Sequence, residues 1–123
     1  MTINDPDVIA ELRELYSVYE HALVTNDVEI LVAMFWTDPH VMRFGVTENL
    51  YGYKEIDSFR KSRPAANLAR EVKRLDIVSF DKDFASITLE FTRGTQHGRQ
   101  TQAWVRFPQG WRIVSAHVSL MPA

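Results

Sequence analysis

EVKRLDIVSF at 71–80, FASITLEFTRG at 84–94, RQTQAWVRF at 99–107 and WRIVSAHVSL at 111–120 are four stretches with a period of two. Alternation over that length, rich in β-branched and aromatic residues, predicts four strands. The separators Asp81-Lys82-Asp83, Gln96-His97-Gly98 and Pro108-Gln109-Gly110 carry turn chemistry, so consecutive strands are expected to be antiparallel neighbours. Trp104, Val105 and Phe107 do not keep to one parity, and neither do Trp111, Ile113, Val114, Ala116 and Val118. A sheet with one wet face alternates cleanly, so this mixture predicts cover on both faces. Helices supply one cover. A second copy of the chain across a twofold axis is the simplest expectation for the other.

Upstream the period changes to that of a helix. Asp5 suits an N-cap and Pro6 the first helical position. Val8, Leu12, Leu15, Tyr16, Tyr19, Ala22 and Leu23 then form an apolar stripe, broken at Thr25-Asn26-Asp27. Asp27 can cap a second short helix through Met34, with Leu31, Phe35 and Trp36 on its core side. Residues 40–44 and 48–52 predict a short hairpin turning at Gly45. Residues 53–61 predict a third helix, with Ile56 and Phe59 inward and Pro64 as the stop. Helices followed by a meander give an α+β class, with the helices on one face of one sheet.

Composition narrows the function. The 123 residues, 46% hydrophobic and 24% charged, predict one domain over 1–123, able to bury roughly two-thirds of its unfolded surface. Fourteen basic and sixteen acidic residues leave a net charge of -2, so no whole-domain basic field exists to recruit nucleic acid. With no cysteine there is no disulfide, thiolate nucleophile or Cys-ligated zinc. No basic-then-apolar leader and no run of eighteen apolar residues is visible, so a cytoplasmic protein without membrane contact is expected.

Chemistry-bearing motifs are few. No P-loop, G-x-G-x-x-G turn, G-x-S-x-G elbow or H-E-x-x-H pair occurs, and no metal or cofactor is expected. Asp38 and His40, two apart, suit a solvated strand end better than a metal site. Arg43 lies in an otherwise apolar strand: it either pairs with Glu48 across the hairpin or reaches solvent, or it points inward and needs an anionic partner. Tyr19 lies on the inward stripe, as a core tyrosine or as a hydroxyl at the helix–sheet space. Arg60 and Arg63 end the third helix, where the dipole favours cations. Gln100, Gln102, Trp104 and Arg106 share one parity, and His117 and Ser119 another; parity alone leaves open whether they line a pocket.

Three strings carry a likeness. YEHALVTNDVEILVAMF at 19–35, RFGVTENLYGYKEIDSFRKSR at 43–63 and GRQTQAWVRFPQGWRIVSAHVSLM at 98–121 resemble the AtzH-like branch of the SnoaL-like, nuclear transport factor 2-like superfamily. That resemblance implies a cystatin-type cone: a strongly curved antiparallel sheet with three helices on its concave face. It also implies a cofactor-independent decarboxylating hydrolase of carboxylated ureas or related ureides, in nitrogen catabolism of the cyanuric acid or oxalurate type. The implied catalytic pair falls on Tyr19 and Arg43, with Glu48, Arg60, Arg63, Gln102 and His117 as substrate-binding positions. Two alternatives stand beside it. One is a non-catalytic accessory domain partnering an amidase. The other is a cone-type isomerase or dehydratase using Asp38, His40 or Glu48 as base.

Overall fold

A computed structural model describes residues 1–122; Ala123, included in the expected domain, lies outside the described residues. Helix α1 (Pro6–Thr25) starts where the Asp5 carboxylate accepts from the Asp7 N–H, and stops at Asn26 in a left-handed conformation. The Asp27 carboxylate caps α2 (Val28–Ala33) through the Ile30 N–H. Strands β1 (Met42–Phe44) and β2 (Asn49–Tyr51) form the hairpin, followed by α3 (Tyr53–Ser62). Strands β3 (Glu71–Phe80), β4 (Phe84–Arg93), β5 (Gln96–Phe107) and β6 (Gly110–Leu120) complete the chain. The sheet order is β2-β1-β6-β5-β4-β3. The meander is antiparallel, and the hairpin joins it through one parallel pairing, β1 beside β6. The α+β cone expected from the sequence is the observed fold.

Three local expectations shift. The strand expected over 40–44 begins only at Met42, because the Asp38 carboxylate accepts from the His40 N–H and turns residues 38–40 away from the sheet. The second hairpin turn falls at Gly94–Thr95, not at Gln96-His97-Gly98. Gly94 supplies the positive φ (61°), and Gln96, His97 and Gly98 pair with Arg93, Thr92 and Phe91. The mixed parity of β6 comes from a bulge. Ala103 pairs with Ser115 and Trp104 with Ile113, so Val114 is an extra residue. Before it Trp111 and Ile113 are buried inward, and after it Ala116. Thr88, Glu90, Arg99, Thr101, Ser115 and His117 stand exposed on the outer face, so its centre is polar and the bulge accounts for the mixed parity of β6.

One transverse row explains how the site is built. Leu50, Arg43, Ala116, Gln102, Ile87 and Ile77 are successive register partners across all six strands, and all are buried. Two polar side chains therefore enter the interior in a row that is otherwise apolar.

Candidate functional site

The helices and the sheet enclose a cavity of about 410 Å³. Alternation in β1 turns Arg43 inward while Met42 stays exposed. One of its NH groups donates to Glu48 Oε1 at 2.9 Å, and its guanidinium lies 5.4 Å from the Phe59 ring centroid. The pairing with Glu48 and the inward direction thus both occur. Glu48 is itself fixed, accepting at Oε2 from the Thr47 hydroxyl at 2.7 Å. Burial alone pushes the Glu48 carboxyl up, but the bonds from Thr47 and Arg43 outweigh it and hold it below its ordinary value. Glycine at position 45 is what lets this carboxylate fold back, since a Cβ there would overlap Glu48 Oε1.

Tyr19 lines the cavity from α1 and is 2% exposed. Its hydroxyl accepts from an Arg60 NH group at 3.0 Å, which leaves its own proton free to be donated elsewhere. Arg60 comes from α3, four residues after buried Ile56 and on the same helix face. It is 1% exposed, and its Nε and other NH nitrogen have no hydrogen-bond partner among the described residues. Burial, reinforced by the guanidiniums of Arg43 and Arg63 and opposed by Tyr19, pulls Arg60 down to about 10. It remains a cation at neutral pH.

Arg63 is half-buried in the same cavity, with two nitrogens unpartnered; burial and the nearby charges of Arg43 and Arg93 lower its pKa. Gln102 is buried, accepting from the Trp104 indole N–H at 3.0 Å. His117 touches the cavity rim, but it pairs with Thr101 on the alternate face, is exposed and lies edge-on to Phe44. The structure therefore groups Tyr19, Arg43, Glu48, Arg60, Arg63 and Gln102, and turns His117 away from them. Asp38 and His40 bond each other on an exposed turn outside the cavity.

Sequence reasoning missed a second cluster on the same wall. Arg70 donates to both Glu20 oxygens at 2.7 and 2.8 Å and to Gln100 Oε1 at 3.0 Å. The Tyr16 hydroxyl donates to Glu20 and accepts from Gln100, and burial first, then Glu20, pushes its ionisation far above the ordinary value. Arg93 completes the set, with its Nε unpartnered. A usable signal existed for Arg93, which shares the odd parity of Leu89 and Phe91 in β4. Arg70 left no such signal, because it precedes the strand. Five guanidiniums thus line one cavity, and only Arg43 and Arg70 have carboxylate partners there among the described residues. Small anions with acceptor oxygens are the chemical class such a cavity suits. Among the described residues no three His, Asp or Glu side chains are grouped as a metal ion requires.

An AtzH-like family model matches residues 1–123. The chain belongs to the AtzH-like family. A protein of unknown function from Pectobacterium atrosepticum is 47% identical over 98% of this chain and 95% of its own, with a TM-score of 0.95. A cystatin-like fold protein from Burkholderia xenovorans is 39% identical over 99% of each chain, with a TM-score of 0.93. A putative ketosteroid isomerase from Parabacteroides distasonis, 20% identical over 86% of this chain and 84% of its own (TM-score 0.69), shares the fold alone. A search of the curated proteins found no match. No helix among the described residues is long and apolar enough to cross a membrane.

Proposed function

We propose that this AtzH-like protein is a cofactor-independent enzyme that decarboxylates a carboxylated urea or related ureide in nitrogen catabolism. One observation carries the reading: Tyr19 and Arg43 reach a common cavity in which three further guanidiniums lack a carboxylate partner among the described residues. Arg43, steadied by Glu48, clamps the substrate carboxylate with its remaining N–H donors. Tyr19 gives its proton to the urea nitrogen as the C–N bond breaks. The bonding pair stays on nitrogen and the carboxylate departs as carbon dioxide. Arg60, 3.0 Å from the Tyr19 oxygen, stabilises the resulting phenolate until water returns the proton. Gln102 reads the urea's polar edge.

The alternatives have less support. An isomerase needs a free base, yet Asp38 and His40 lie outside the cavity and Glu48 is ion-paired. An accessory role beside an amidase is separated by assay. Pairing of two copies through the outer sheet face belongs to the proposal too. Its support is a rim of exposed Met42, Tyr51 and Phe84 around the polar centre.

The test is turnover by purified protein of carboxylated ureas and oxalurate, with carbon dioxide and ammonia measured separately. Carbon dioxide release without an amidase is expected. Arg43→Lys loses about a hundredfold in kcat/KM because a point charge cannot replace the planar fork. Tyr19→Phe loses roughly a hundredfold or more in kcat at little change in KM. Both variants working at wild-type rates would overturn the assignment, and activity only with a co-purified amidase would favour the accessory role.

A further inference from the structure

The cavity's arginines are graded by depth. Arg60 and Arg43 are 1% and 7% exposed, whereas Arg63 and Arg93 are half-buried. Arg93 belongs to none of the roles assigned above. Its guanidinium lies 5.7 Å from the Phe91 ring centroid, and Arg70 lies 4.3 Å from that centroid. Phe91 in turn packs on Gly98, where a Cβ would collide with the ring. Gly98 thus fixes Phe91, and Phe91 steadies Arg93 by a cation–π contact. Among the described residues, Nε of Arg93 and Nε and one NH nitrogen of Arg63 are buried without partners. Arg70, the neighbouring cation, is committed to Glu20. Arg63 lines the same cavity as Arg93 and the deeper Arg43, and the charges of both bear on it, whereas the charges that bear on Arg93 are those of Arg70 and Glu20.

We propose that Arg93 and Arg63 form a capture station for small oxyanions at the cavity mouth, which loads the deeper Arg43–Arg60 pair. As part of turnover this rests on the proposed function; as an anion-binding site it does not. Cations at the entrance of a low-dielectric cleft concentrate an anion there and raise its entry rate, and dissolved salt screens the effect. An anion at the station supplies the negative charge that no carboxylate among the described residues gives Arg63 and Arg93, both of which line the cavity. It then moves inward to Arg43 and Arg60, which line the same cavity.

The experiment has two arms on the full chain. In the first, inorganic phosphate is titrated calorimetrically into wild type, Arg93→Gln, Arg93→Lys and Arg63→Gln, with thermal unfolding verifying that each is folded. Arg93→Gln and Arg63→Gln are each expected to weaken phosphate binding about tenfold at low salt. Arg93→Lys is expected to stay within about threefold of wild type, because capture requires charge and not the planar fork. In the second arm, kcat/KM for a carboxylated urea is measured against ionic strength. Arg93→Gln is expected to lower it about tenfold at low salt, to change kcat far less and to flatten the salt dependence. Unchanged phosphate affinity in folded Arg93→Gln would overturn the station, as would an equal loss in Arg93→Lys. Phosphate binding that depends on Arg93 in a protein that turns over no carboxylated urea would support the station and refute the enzymatic reading.

Discussion

The inner face of the sheet has two ends built differently, and α1 spans both. Near its start, where Arg106 approaches Glu11 at 3.6 Å, the interior is apolar: Leu12, Ala85, Trp104 and Ile113 are fully buried. Near its end, Tyr16 and Tyr19 meet Gln100 and Arg60, and the same sheet face presents Arg43 and Gln102. The first end gains stability from excluded water. The second keeps cations away from water with too few carboxylates to balance them, which costs stability and leaves donors for a ligand. The contrast teaches that the apolar end carries the fold and tolerates strain at the other.

That contrast can be broken by measurement. Trp104→Ala should lose about 3–5 kcal/mol of stability in urea unfolding, since it leaves a cavity and deprives Gln102 of its indole donor. Arg60→Met should do the opposite, raising stability by about 1 kcal/mol or more while turnover collapses, because it removes a buried charge that lacks a carboxylate. If Arg60→Met destabilised as much as Trp104→Ala, the two ends would not differ in kind. The smallest effect concerns the one carboxylate that lines the cavity among the described residues, Glu48. Its pKa in the folded protein lies below its ordinary 4.5, so its pairing stabilises fully above that value and is lost as pH falls through the lower folded one. The difference in Tm between wild type and Glu48→Gln should therefore be present at pH 6 and shrink as the pH drops below 4.5.

How much of this was legible follows from what each signal depends on. Caps at Asp5 and Asp27 and the period-two runs are local, and they gave the elements within a few residues. The bulge at Val114 is not local. It arises only when β5 and β6 are paired, so in sequence the parity break reads as apolar residues on both faces of β6. Tyr19 and Arg43 were visible as polar groups on apolar stripes. The bond between Tyr19 and Arg60 joins residues 41 positions apart, and nothing in either neighbourhood announces it. His117 shows the converse, since a matching string could not say which face it takes after the bulge.

By itself, the amino-acid order determined the α+β class, the cap positions and the presence of an arginine and a tyrosine within otherwise apolar stretches, because periodicity and capping act between neighbours in the chain. Only the tertiary structure decided that guanidiniums from α3, β1, β4 and the segment before β3 share one cavity, and which of them keep a counter-ion. Charge balance in a cavity is a property of distances between remote side chains, and those distances exist only once the sheet has closed over the helices.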